Sequence, residues 1–327
     1  MRAAWKPLHD KKALFADEAR KMIGLRDRRG PVLVTGSHRS GTTWVGSVLS
    51  SAPATRLVFE PFNIHLRNEQ RNFDPRHWYL YLHEDSDPAY RASIASTIKD
   101  YPYWQEAVLL RPGLKPLAKY ALRRSKYVLR RSSRVIYKDP LAFFSAEWLA
   151  AHFGMRPVVM IRHPRAFVSS LLVKGWNFDF TNLSSQPKLM ETLAPFREQI
   201  AAYARRQPDI VDQGILLWNC IYHRADVYRE KHPDWVFARH EDLSRDPVSG
   251  FRALFKAVDL HFGPKQARFV EQVSGSHNPS DQDGFGVRLD SRKNLDNWKK
   301  RLTNEQIDRI DRGTETVCAR FYEPCEA

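Results

Sequence analysis

The chain has 327 residues and a formal charge of +15, with 43% apolar and 27% charged residues, a composition that excludes disorder as the dominant state. Three cysteines, Cys220, Cys318 and Cys325, exclude a disulfide framework and match no zinc-ligand spacing. No apolar run reaches the roughly 18 residues of a spanning helix, and the opening MRAAWKPLHDKK lacks the apolar centre of a signal peptide; the expectation is a soluble, cytoplasmic protein whose positive excess meets an anionic partner.

Residues 1–30 are polar and basic and read as an arm or short helix ahead of a single domain over 31–327. PVLVTG (31–36) is a compact apolar run ending in glycine, the pattern of a strand buried on both faces in a parallel sheet. A helix is expected over 41–51 and a second buried strand at LVFE (57–60). The stretch 61–134 is irregular and rich in aromatics, among them Phe62, Trp78, Tyr79, Tyr81, Tyr101, Tyr103 and Trp104, and reads as helices and loops inserted between strands. Strand signals return at RVIYKD (134–139) and PVVMIR (157–162), around the amphipathic helix AEWLAAHF. Pro164 opens a helix to 173, a long helix covers 213–231, WVFAR (235–239) is a strand, and a helix follows Asp246-Pro247. Residues 275–290 are loop-like, and Thr303 with Gln306 forms a capping box for the last helix. Alternating strand and helix signals predict an α/β fold, a parallel sheet flanked by helices.

The junction Gly36-Ser37-His38-Arg39-Ser40-Gly41-Thr42-Thr43-Trp44 turns backbone N–H groups and a helix N-terminus toward one point, an arrangement that binds a phosphate. A Walker loop carries lysine directly after its second glycine. Here Thr42 holds that position and Arg39 is the nearest cation, which disfavours a Mg²⁺-nucleoside triphosphate and, with it, the alternative of a P-loop kinase. A second phosphate receptor is expected where Arg162 ends a strand and Ser170 lies eight residues on, about two helical turns away. Arg165 reads as a solvated or pairing residue. Ligands of open parallel sheets bind beyond the carboxyl ends of the strands. The glycine loop, Glu60, Lys138 and Arg162 all fall at such ends, so four strands deliver their first polar residue to one rim.

The segment GSHRSGTTW resembles the 5′-phosphosulfate loop of the sulfotransferase family, whose usual form is a basic residue followed by SGTTW. The resemblance implies a P-loop-like three-layer architecture, 3′-phosphoadenosine 5′-phosphosulfate (PAPS) as donor and no metal. It implies that Arg39, Ser40, Gly41, Thr42 and Thr43 hold the 5′-phosphosulfate and that Trp44 stacks on the adenine. Arg162 and Ser170 resemble the family's 3′-phosphate motif. Arg292 and Lys293, in SRKNLDNWK, resemble its Arg-Lys-Gly loop, with Asn294 in place of glycine and a spacing one residue shorter. By that resemblance the 275–300 loop closes over the 3′-phosphate; a solvated basic turn is the competing reading. Lys138-Asp139-Pro140 resembles the segment carrying the catalytic lysine. Pro140 stands where the small-phenol enzymes have a histidine base, which favours the glutamate variant of the tyrosylprotein and heparan-type branches. The resemblance thus makes Glu60 the base and Lys138 the leaving-group assistant. Glu60 before Pro61 is equally placed to end a strand, Lys138 to pair with Asp139, and His38 and His65 are alternative bases.

Residues 61–134 and KGWNFDF (174–180) are the expected acceptor walls, for a saccharide or other alcohol, with tyrosyl, phenolic and lipid acceptors as alternatives. Lys119, Arg123, Lys126, Arg130 and Arg134 at helical spacing form a basic face over 117–134, either solvated or meeting an anionic glycan or acidic membrane surface. No nucleic-acid motif with interleaved aromatics is present, and no specific nucleic-acid partner is expected.

Overall fold

The computed structural model describes residues 29–65, 73–100, 133–275 and 291–323. Among these, β1 (Val32–Gly36), β2 (Thr55–Phe59), β3 (Arg134–Lys138), β4 (Arg156–Ile161) and β5 (Val236–Arg239) form one parallel sheet in the order β2-β3-β1-β4-β5. The helices in chain order are α1 (Thr42–Leu49), α2 (Ala89–Asp100), α3 (Ala146–Phe153), α4 (Pro164–Lys174), α5 (Thr181–Ser184), α6 (Pro187–Thr192), α7 (Arg197–Arg205), α8 (Ile210–Lys231), α9 (His240–Arg245), α10 (Pro247–Ala257), α11 (Pro264–Ser274) and α12 (Asn304–Cys318).

Side chains alternate across a strand, so a strand buried on both faces reads as a near-continuous apolar run. Val32 and Val34 point into one layer with Ile136, Val158 and Met160, packed against Val45 of α1, Phe251 and Leu254 of α10 and Val270 of α11. Leu33, Val135, Tyr137, Val159 and Ile161 belong to the opposite layer, with Leu149 of α3, Phe167 of α4 and Trp218 of α8. The expected three-layer arrangement is therefore the one observed. The capping box forms as expected: Thr303 Oγ1 accepts the Gln306 N–H at 3.2 Å, and Gln306 Oε1 accepts the Thr303 N–H at 3.0 Å.

Several boundaries move. β2 starts at Thr55 and stops one residue short of Glu60, and α8 starts at Ile210, where the Asp209 carboxylate caps the Asp212 N–H. Within the inserted stretch, α2 forms, while Phe62 and Tyr79 are fully buried core residues and not surface walls.

Arg134 overturns part of the basic-face reading. It opens β3, is 1% exposed, and spends its guanidinium on the carbonyls of Gly30, Val258 and Asp259. A fully buried cation that satisfies loop carbonyls has no face to offer a ligand. Lys119, Arg123, Lys126 and Arg130 lie outside the described residues, as do Tyr101, Tyr103, Trp104, Cys325, most of the 1–30 arm and most of the 275–290 loop.

Candidate active site

The register sets the site's geometry. Phe59 pairs with Lys138, Gly36 with Met160 and Ile161 with Arg239, so the strands stop at one edge and their following residues gather there. At Gly36 (φ +138°) a Cβ would lie 2.4 Å from the Met160 carbonyl oxygen, so glycine is required for the chain to turn this close to β4. Ser40 folds back, its Oγ and N–H donating to the Ser37 carbonyl at 2.6 and 3.2 Å. Gly41 caps α1 without a side chain, which leaves the first-turn N–H groups of that helix available to an anion. The Tyr222 hydroxyl from α8 sits 2.9 Å from Ser37 Oγ and accepts the Arg162 N–H at 3.0 Å, tying the loop to the end of β4.

Both predicted phosphate receptors converge on this point. Arg39 Nε donates to Ser170 Oγ at 2.8 Å, and its guanidinium lies 5.5 Å from the centre of the Trp176 ring. Arg162 donates Nη1 to the Arg39 carbonyl. Its Nε is buried with no hydrogen-bond partner among the described residues, as is Ser169 Oγ. Burial lowers the Arg162 pKa from its ordinary value, with Glu241 opposing. An unsatisfied buried guanidinium N–H costs free energy that an oxyanion would recover. The residues present therefore fit a phosphate or sulfate.

Lys138 and Glu60 form a buried ion pair through Nζ and Oε1, their side chains 1% and 6% exposed. Glu60 sits just past β2 at φ 46°, its N–H donating to the Lys138 carbonyl at 2.8 Å. Asn63 Nδ2 donates to Glu60 Oε2 at 2.7 Å, so both carboxylate oxygens are engaged, the condition under which a buried pair is tolerated. The Lys138 stem crosses α1 at Gly46, where a Cβ would lie 2.8 Å from Cγ. Asp139 is committed elsewhere: its carboxylate accepts the N–H groups of Phe62 at 2.6 Å and Leu141 at 3.0 Å. Burial, together with the Glu60 charge, pushes Asp139 up to about 8.

Residues 31–264 match the Sulfotransferase family. The chain belongs to that family. It is 28% identical over 148 residues to the flavonol 3-sulfotransferase of Flaveria bidentis, a match covering 38% of this chain and 45% of the plant protein. The matched stretch thus spans less than half the length of that curated relative. Similar solved structures include sulfotransferase STF9 from Mycobacterium avium, at 15% identity and TM-score 0.45, covering 97% of this chain and 82% of that one. The sulfotransferase domain from the Synechococcus PCC 7002 olefin synthase has 14% identity and TM-score 0.45, covering 90% and 95%.

In this member of the family the expected adenine platform is closed. Trp44 is 2% exposed, with Phe251 edge-on at 4.9 Å and His240 at 5.7 Å, so as placed it is a core residue and not an open ring face. Thr42 is buried and Thr43 half-buried on the first turn of α1. Arg292 and Lys293 are exposed on a short turn beside α9, Arg292 Nε donating to the Arg245 carbonyl at 3.2 Å. Arg165 pairs with Asp311, its Nε 2.7 Å from Oδ1, and lies 4.9 Å from the Trp298 ring centre. His65 is exposed and stands edge-on to Trp78 at 5.3 Å. His38 is 6% exposed, packs on Trp78 and Phe167, and is hydrogen-bonded to the Tyr79 hydroxyl through Nδ1 at 2.8 Å.

The sequence reading missed His240 and Glu241. His240 is buried against Gly41, where a Cβ would meet its Nδ1 at 2.6 Å, and burial with the Arg162 charge holds its pKa at about 3. Glu241 accepts the His163 N–H at 3.0 Å and the Tyr322 hydroxyl at 2.8 Å, fixing the turn after Arg162. Both directly follow β5, so the strand-end rule that singled out Glu60 and Lys138 points to them as well.

Proposed function

We propose that this protein transfers a sulfuryl group from PAPS to an acceptor hydroxyl. The observation that supports this most is the buried Glu60–Lys138 pair standing on the same sheet edge as the Arg39–Ser170–Arg162 cluster. When bound, the donor supplies a sulfuryl group already activated as a phosphosulfate anhydride. The loop N–H groups, Arg39, Ser40, Gly41, Thr42 and Thr43 hold its 5′ end. Arg162 and Ser170 hold the 3′-phosphate, which a nucleoside triphosphate lacks, and Arg292 and Lys293 reach over it from the surface.

Glu60 removes the acceptor proton. Its Oε1 is occupied by Lys138 and becomes free when the ammonium turns toward the leaving-group oxygen, while Asn63 keeps Oε2 in place. One motion of Lys138 thus supplies charge to the leaving group and uncovers the base. The acceptor class we favour is a saccharide or similar ring-bearing alcohol, because the half-buried Trp78 and Trp176 flank the loop and offer faces on which a ring can stack. Among the described residues no helix is long and apolar enough to cross a membrane.

The test is Glu60→Gln, assayed for sulfuryl transfer from labelled donor to a panel of saccharide, phenolic and lipid alcohols. The variant should lose about 10²- to 10⁴-fold in kcat, the usual range for a general base, and keep its thermal stabilisation by 3′-phosphoadenosine 5′-phosphate (PAP). Full turnover would remove Glu60 as the base.

A further inference from the structure

His38 precedes Arg39 in the phosphate loop, and the hydrogen-bond network around it assigns its protons. The His38 backbone N–H donates to the Tyr79 hydroxyl at 3.1 Å, and that hydroxyl lies 2.8 Å from His38 Nδ1. The hydroxyl has a single proton, and among the described residues Nδ1 is its only acceptor. Tyr79 therefore donates to Nδ1, and the imidazole proton sits on Nε2. Burial and the neighbouring Arg39 charge hold the ring neutral, its pKa down at about 3. Tyr79 is itself buried and held at φ 68°, an unfavourable backbone conformation for a tyrosine, so the lock is built in at some cost.

A neutral Nε2–H cannot serve as a base, which removes the His38 alternative for that role. It is a donor. Among the described residues Nε2 has no hydrogen-bond partner, while the ring is packed on Phe167 at 5.3 Å, Trp78 at 5.3 Å and Trp176 at 6.2 Å. Trp78 and Trp176 are the half-buried rings taken above as the acceptor wall. His38 adjoins Arg39 in the phosphate loop, and its ring and the Tyr79 ring are neighbours, their centres 6.0 Å apart.

We propose that His38 is a further catalytic residue of the sulfuryl transfer: a neutral Nε2–H donor, its tautomer held by Tyr79, that hydrogen-bonds an oxygen of the migrating sulfuryl group. This rests on the reading of the site as a sulfotransferase centre. The donor adds no charge and moves no proton; it stabilises negative charge as the group passes from the phosphate to the acceptor.

Two substitutions separate this from a packing role. His38→Phe keeps a ring and loses the donor, whereas His38→Gln loses the ring and keeps an N–H near the Nε2 position. A donor role predicts a kcat loss of about 10²-fold for His38→Phe, the cost of removing one such donor, and recovery of most of it in His38→Gln. A packing role predicts the reverse order, and that result overturns the proposal. PAP carries no sulfuryl group, so both variants should bind it as the wild type does; a wild type that fails to bind PAP would instead sink the sulfotransferase reading. Independently of turnover, ¹⁵N NMR of the ligand-free protein should show His38 as the Nε2–H tautomer at pH 6. An Nδ1–H or doubly protonated wild-type ring would contradict the assignment.

Discussion

Eight consecutive residues, Gly36 to Thr43, carry most of the proposed phosphate cradle, whereas Glu60 and Lys138 meet across 78 positions of chain. The cradle is made of backbone N–H groups and guanidinium, with Arg162 Nε buried and unsatisfied among the described residues. The proposed catalytic pair neutralises itself, acid against ammonium, with Asn63 on the second carboxylate oxygen. One region is therefore completed by an anionic ligand, and the other is complete before the ligand arrives and must open for chemistry. Cradle changes should appear in donor binding, and pair changes in turnover.

The largest effect should come from Lys138→Met. It removes leaving-group charge and strands Glu60 in the interior, so kcat should fall by about 10³-fold, and stability by about 3–5 kcal/mol, as read by denaturant unfolding. PAP should still stabilise what folds. If PAP stabilisation disappears with turnover, the two regions are one unit and the separation drawn here fails.

Arg162→Ala should do the converse. Losing charge-assisted hydrogen bonds of about 1.5–3 kcal/mol weakens PAP binding by about 10- to 100-fold, with kcat at saturating donor close to the wild type. Unaltered PAP affinity would place the 3′-phosphate elsewhere.

Two glycines sharpen the contrast within a single helix. At Gly41 (φ +92°) a side chain is strained and strikes His240, so Gly41→Ala should weaken donor binding. At Gly46 the added methyl meets the Lys138 stem, so Gly46→Ala should lower kcat by roughly tenfold through a misplaced ammonium. Steady-state kinetics varied in each substrate distinguishes the two; identical effects on donor KM and kcat would erase the distinction.

The smallest effect is on pH-dependent stability. Burial holds His38, His163 and His240 down at about 3, 4 and 3, all on the cradle side. Below the ordinary 6.5 the unfolded chain binds protons that these folded rings refuse, so their contribution is full above 6.5 and lost as pH falls toward 4. Asp139, on the pair side and pushed up to about 8, acts oppositely: its folded form holds a proton the unfolded chain releases, favouring the fold at the lower end of the range between about 4 and 8. Three imidazoles outweigh one carboxyl, so the unfolding free energy should drop between pH 7 and pH 4.5. A rise over that interval would contradict the buried, neutral assignment of these rings.

The same contrast explains what was legible in the sequence. Strands buried on both faces are apolar along their centres, so β1, β3 and β4 stood out as runs, and the polar residue that closes or follows each run fell at the carboxyl edge without further information. The surroundings of Trp44 were not legible, because a motif states which residue follows the loop, while the helix rotation that turns its indole onto Phe251 is a tertiary fact. Arg134 was placed on a basic helix by spacing alone; spacing cannot register that three carbonyls from distant loops need a donor there. The His38–Tyr79 lock joins residues 41 positions apart, through a segment with no periodicity to read.

The most direct test of the central claim is calorimetric titration of the wild-type protein with PAP, set against ATP–Mg²⁺. A cradle that closes on both ends of a bisphosphorylated adenosine predicts tight, saturable PAP binding and little heat from ATP–Mg²⁺. Preferential binding of ATP–Mg²⁺, or no binding of PAP, would contradict it.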